Sequence, residues 1–318
     1  LFGDAGDDII IGNGGNDTID AGADNDRVYG NAGDDVVYGG AGNDIIYGDS
    51  KSESAEDGND TLFGGAGDDI IIGNGGDDLF YSDEGNDRLY GGAGVDTISF
   101  LNESAGITAD LNKEDVIDGT GGRDTVNDFE NVIGTNFDDI IVGTISSNSL
   151  DGMDGADVLY GHFGEDFITG GNGHDLIYGD LKSATAADAA DTLHGGAGED
   201  IIIGNGGDDI IDAGIDNDRV YGGAGNDFIE GGDGHDLIYG DAKNTQGDDG
   251  NDTINGGGGD DEIYGGAGAD ILDGGDGNDV LKGELKIQNV NELLNYIAQG
   301  LMKEIHPITM KEILSMTK

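Results

Sequence analysis

The sequence contains no cysteine and no tryptophan, only one proline, and 13 lysines and arginines against 68 aspartates and glutamates. Without cysteine there are neither disulfides nor thiolate metal sites, so a bound metal must be held by oxygen, which selects hard divalent cations. A formal net charge of −55 repels nucleic acid and anionic membrane surfaces and makes cations the natural partners. No apolar run is long enough for a transmembrane segment, and no amino-terminal signal peptide is seen. The chain starts at Leu1, part-way into a repeat, so it is expected to be a piece of a longer polypeptide.

Catalytic signatures are also missing. Neither H-E-x-x-H zinc spacing nor a G-x-S-x-G elbow occurs, and His162, His174, His194, His235 and His306 form no constellation. Paired carboxylates are abundant, but they recur at identical spacing throughout, which suits a repeated structural role better than one acid/base pair. No enzymatic activity is expected of this chain itself. What the sequence does have is 65 glycines among 318 residues, far from an ordinary globular composition. Such polarity is compatible with disorder, so periodicity has to decide.

The period is nine. GDAGDDIII from Gly3, GNGGNDTID from Gly12, GNAGDDVVY from Gly30 and GGAGNDIIY from Gly39 share the pattern G-G-x-G-x-D-x-U-x, with U apolar. A block of ten repeats runs from Gly3 to Ser99 and one of fifteen from Gly134 to Lys282. Of these 25, 24 carry Asp at the sixth position, the exception being Asn148, and all carry an apolar residue at the eighth. The repeats resemble the glycine-rich nonapeptides of the RTX (repeats-in-toxin, hemolysin-type) calcium-binding family.

The resemblance implies an all-β fold: a right-handed parallel β-roll, a calcium-stabilised solenoid in which each nonapeptide makes half a coil and repeat i stacks on repeat i+2. Strand alternation then sends the eighth position inward and the seventh and ninth outward, making Ile10, Ile19, Val28, Val37 and Ile46 the first core residues. Ten of the eleven tyrosines occupy the ninth position, so Tyr29 and Tyr47, Tyr160 and Tyr178, and Tyr221 and Tyr239 are expected to stack.

Glycines at positions one, two and four permit positive φ and leave carbonyls unobstructed, while the Asp supplies a charged oxygen. Calcium takes six to eight oxygens, more than one turn offers, so sites are expected between stacked turns, Asp8 sharing with Asp26 and Asp17 with Asp35. The expected metal ligands are Asp8, Asp17, Asp26, Asp35, Asp44, Asp60, Asp69, Asp78, Asp87 and Asp96 in the first block. In the second they are Asp139, Asp157, Asp166, Asp175, Asp191, Asp200, Asp209, Asp218, Asp227, Asp236, Asp252, Asp261, Asp270 and Asp279. Backbone carbonyls are expected from Gly30, Gly33, Gly39, Gly40, Gly42, Gly64, Gly65, Gly67, Gly222, Gly223, Gly225, Gly231, Gly232 and Gly234. The last repeats add Gly256, Gly257, Gly259, Gly265, Gly266, Gly268, Gly274, Gly275 and Gly277. Roughly 12 to 20 calcium ions are expected as cofactors. One buried aliphatic per nine residues cannot offset the backbone entropy of those nine, so metal binding is expected to be the condition for folding.

The expected organisation is a first roll block over 1–99, a spacer or longer coil over 100–133, a second block over 134–283 and an amphipathic helical tail over 284–318. Insertions at 50–57, 181–188 and 242–249 follow IIYGD or LIYGD, with Asp57, Asp188, Asp248 and Asp249 as candidate extra ligands. The fourth-position glycine is replaced by Asp24 and Asp216, which either distorts the turn or adds a ligand. The turns after the spacer are poor, with Phe137, Ser146 and Asn148 at key positions, so calcium occupancy should be lowest there. The tail spaces Leu293, Leu294, Ile297, Leu301 and Ile305 as a helix does, either a cap or, as the resemblance implies, a type I secretion signal. The resemblance further implies secretion to the extracellular space or cell surface, with a type I secretion apparatus and an upstream domain of the same polypeptide as partners. A parent enzyme or cytolysin, or a calcium-stiffened adhesin or surface spacer, are the alternatives.

Overall fold

A computed structural model describes residues 1–50, 57–81, 83–180, 189–241 and 250–283. The helical tail and the candidate ligands Asp188, Asp248 and Asp249 lie outside the described residues. Among the described residues the chain forms two sheets, one of sixteen strands and one of thirteen, and within the repeats it alternates between them, each strand hydrogen-bonded to the strand two repeats later. Ile9 pairs with Arg27 and Thr18 with Val36, in parallel and in register. This is the half-coil-per-repeat stacking of a parallel β-roll, and residues Leu1–Lys282 form one compact unit. No helix among the described residues is long and apolar enough to cross a membrane.

Many strands are longer than the three residues that positions seven to nine provide. Thr18–Ala23 and Val36–Ala41 run on through the first three positions of the next repeat, because Gly22 pairs with Gly40 and Ala23 with Ala41. Parallel pairing satisfies backbone groups for as long as the two turns stay superposed. The strand therefore buries two alternate positions, the eighth and the following first, as in Ile19 and Ala21 or Ile211 and Ala213.

The core is a single file of aliphatic side chains between the sheets. Ile19, Val28, Val37 and Ile46 are fully buried, whereas Ile10 is only partly buried because it sits on the terminal rung with no turn beneath it. Outside, ninth-position rings stack as spaced: Tyr29 on Tyr47 at 5.1 Å, Tyr160 on Tyr178 at 4.8 Å and Tyr221 on Tyr239 at 5.2 Å between centroids. Their faces are spent on one another, which is cross-strand stabilisation.

Both sheets continue through residues 100–133. Strand Asn131–Ile133 carries one sheet straight on, between Thr97–Ser99 and Ser149–Asp151. In the other, strands Thr108–Asp110, Asp115–Ile117 and Arg123–Asn127 form antiparallel pairs that insert between Arg88–Ala93 and Ile140–Val142. The spacer thus adds an extra hairpin to one sheet, and its Val116, Val126, Phe129 and Val132 extend the same core.

Ile177 is fully buried in this file, while Ile210 on the outer face is 51% exposed. Ile177→Ala should cost about 2–5 kcal/mol through lost burial and the cavity left behind, and Ile210→Ala about 0.5 kcal/mol or less. Denaturant unfolding of the calcium-saturated protein checks the contrast.

Candidate metal centre

Each nonapeptide reverses the chain with its first six positions and aims the sixth-position carboxylate inward, beneath the turn. From Asp26 to Asp261 every such aspartate is at most 3% exposed, while Asp8, Asp17, Asp270 and Asp279 at the open ends are half-buried. One carboxylate oxygen is used in the same way through most of the repeats. The backbone N–H of a sixth-position residue donates to Oδ1 of the aspartate two repeats later: Asp8 to Asp26 at 2.7 Å, Asp26 to Asp44 at 2.7 Å, Asp200 to Asp218 at 2.8 Å. Asp8 is therefore brought to Asp26, and Asp17 to Asp35, again at 2.7 Å. Two such files run the length of the roll, one along each edge.

The other oxygen is different. Oδ2 is buried with no hydrogen-bond donor at most sixth positions, among them Asp26, Asp44, Asp69, Asp78, Asp209 and Asp227. Burial is the first cause, and neighbouring aspartates a further one, of carboxyl pKa values raised to about 8 at Asp60 and Asp78 and to about 9 at Asp209. A buried charged oxygen that lacks a donor is costly, and a cation is what satisfies it.

Glycine positions supply the neighbouring oxygens. A β-carbon on Gly12 would lie 2.7 Å from both Asp17 Oδ2 and the Gly30 carbonyl oxygen, so the missing side chain leaves a cradle in which two oxygens converge. The first-position carbonyls of Gly64, Gly222, Gly256, Gly265 and Gly274 lie in the same way against the turn two repeats earlier. The cradle itself is formed at first positions Gly39 and Gly231. At the second and fourth positions the carbonyls of Gly40, Gly42, Gly232, Gly234, Gly257 and Gly259 face the next turn, with that of Gly33 against Gly58. Gly65, Gly67, Gly223, Gly225, Gly268, Gly275 and Gly277 sit above such carbonyls, and Gly266 above the Asp241 carboxylate. Among the described residues no three His, Asp or Glu side chains gather as a metal site. A cation here draws on one or two carboxylates plus backbone carbonyls, the oxygen-only, adaptable donor set that suits calcium.

The irregular turns behave differently. Asp139 Oδ2 accepts from the Thr135 N–H at 2.6 Å and its Oδ1 from the Thr135 hydroxyl at 3.0 Å, so this carboxylate is satisfied without an ion. Asn148 Oδ1 accepts from the N–H and hydroxyl of Thr144 in the same manner. Asp24 and Asp216 take over the glycine conformation at φ of 80° and 82°, and Asp24 accepts from the Gly6 N–H.

Several residues outside the expected set occupy equivalent places. Asp124 Oδ1 accepts from Asp87 N–H at 2.8 Å and Glu130 Oε2 from Asp96 N–H at 2.9 Å, so both files continue into the spacer. GTGGRDTVN from Gly119 carries the signal, with Asp sixth and Val eighth, but Glu130 follows a turn too short to register as a repeat. Asp49, Asp180 and Asp241, at second positions where the three insertions begin, are buried at 2%, 0% and 9% exposure. Asp49 Oδ2 accepts from the Gly58 N–H at 2.8 Å and so closes the base of its insertion. Burial, and next the charge of Asp57, raises its carboxyl pKa to about 7. Asp57 itself lies against the Gly75 backbone.

Because the buried carboxylates are raised above their unfolded value of 3.8, their ionisation opposes the metal-free fold. That contribution to stability is fully present below about pH 4 and lost as pH rises through about 7–9. In chelator, β-structure by circular dichroism should therefore increase from pH 8 to pH 5. In saturating calcium the slope should invert, since protons then compete with the ion. A backbone test is Gly65→Ala. Gly65 has φ +99° and its β-carbon would strike the Gly40 carbonyl, so the change should cost more than about 1 kcal/mol, whereas at Gly14 the nearest atom is 3.9 Å away and alanine fits. The calcium midpoint of folding separates the two.

The family model for the RTX calcium-binding nonapeptide repeat (4 copies) matches residues 1–28, 20–50, 54–89, 73–100, 133–168, 151–181, 185–220, 213–244 and 246–281. A search of curated proteins finds no match.

Proposed function

Because the chain belongs to the RTX calcium-binding nonapeptide repeat family, we propose that it is a calcium-triggered folding module of an exported protein: unfolded where calcium is scarce, folded outside the cell. The observation that carries this reading is the pair of carboxylate files, most of whose members are buried, half satisfied and crowded by their neighbours. The lysines and arginines, 13 against 68 acids, are too few to offset that charge. A divalent ion between successive rungs satisfies Oδ2, cancels repulsion and adds a bond across the stack.

The sixth-position aspartates and the glycine carbonyls of the two turns they join are the ligands. The turns of Asp139 and Asn148 are the weak members, because threonine already satisfies their side chains. A chain that is disordered at low calcium suits passage through a narrow secretion channel, and its extracellular destination supplies the millimolar calcium that weak extracellular sites need.

Circular dichroism should show coil in chelator and β-structure after millimolar calcium at neutral pH, with magnesium far less effective because it demands near-octahedral geometry. A spectrum indifferent to calcium would overturn the reading.

A further inference from the structure

The spacer interrupts the repeats, yet it places buried carboxylates on the repeat edge it spans. Asp118 is 3% exposed and Glu103 8% exposed. Asp118 Oδ1 is fixed by the N–H groups of Thr120, Gly121 and Gly122 and by the Thr120 hydroxyl, at 2.7–2.9 Å. Its Oδ2 is buried with no donor, the same signature as the sixth-position aspartates, although it belongs to no matched repeat.

What surrounds that oxygen is again oxygen. The place of a β-carbon on Gly122 is occupied by Asp118 Oδ2 and the Gly85 carbonyl, and that of a β-carbon on Gly119 by the Ala105 carbonyl, with Glu103 Oε2 at 2.9 Å. Burial first, then the charge of Asp118, raises the Glu103 carboxyl to about 7, and Asp83 and Asp124 add to the effect. The basic side chain of this loop is turned elsewhere: Arg123 pairs with Asp115 at 2.6 and 2.9 Å. A cleft of about 450 Å³ lined by Asp83, Glu103, Ser104 and Thr120 opens on the Glu103 side of this cluster.

We propose that Asp118 and Glu103, with the Gly85 and Ala105 carbonyls, form a calcium site of the spacer's own, carrying the ion file across the hairpin. The inference rests on the calcium reading of the repeats and extends it to a segment with no nonapeptide match. Its consequence is that the two repeat blocks fold as one calcium-dependent column. Without an ion, two buried carboxylates would repel at the junction.

The direct test is a crystal of the full chain grown in calcium and soaked with terbium. An anomalous peak about 2.3–2.6 Å from Asp118 Oδ2 and a Glu103 oxygen is expected, in addition to peaks in the repeats. Peaks in the repeats with none at Asp118 would overturn this inference alone, while no peaks at all would overturn the calcium reading with it. A second test uses sign. Asp118→Asn keeps the Oδ1 acceptor and removes the charge. With an ion bound, its melting temperature in saturating calcium falls and the calcium midpoint for amide protection of 100–133 rises severalfold. With no ion, removing a buried charge leaves both unchanged or improves them, and the proposal fails. Glu103→Gln should shift the same two readouts in the same direction.

Discussion

A carboxylate buried directly above another carboxylate, rung after rung, sets the conditions for everything else in this molecule. At most sixth positions Oδ1 accepts an N–H from the rung two repeats before it, which fixes register, and Oδ2 is left facing carbonyls. The arrangement is stable only if something positive lies between the rungs, because burial and like charge both act against ionised groups. Glycine at the first, second and fourth positions follows from the same demand: side chains there would fill the space where oxygens converge.

The rest of the fold is thin by comparison. A single aliphatic file separates the sheets, and stacked tyrosines reinforce one face at intervals. Neither supplies the surface burial of an ordinary domain. On the proposed reading, order depends on ligation, and ligation on two adjacent turns being formed together. Such nearest-neighbour dependence is the behaviour of a one-dimensional stack, so a local defect weakens the rungs beside it. The Asp139 and Asn148 turns stand out in this light: a threonine N–H donates to the side-chain oxygen that elsewhere has no donor.

The nine-residue pattern by itself determined the inward eighth position and the shared ninth position of the tyrosines, because period is a property of the chain. That repeat i stacks on i+2, bringing Asp8 to Asp26, Asp17 to Asp35 and the tyrosines into pairs, came from the family resemblance that the pattern carries. Strand length was not legible, since pairing of Gly22 with Gly40 exists only once the turns are superposed. Nor was the partial exposure of Ile10, which reflects its place on the end rung. Only the tertiary structure could decide which oxygen of each aspartate is spent on the backbone and which is left over. It alone brings Glu130 into a file and Glu103 to Asp118, because those residues meet across a hairpin of different periodicity, whereas Asp124 already stands sixth in the nonapeptide from Gly119. A repeat announces itself by spacing; a contact between unlike segments is decided by where folding brings them.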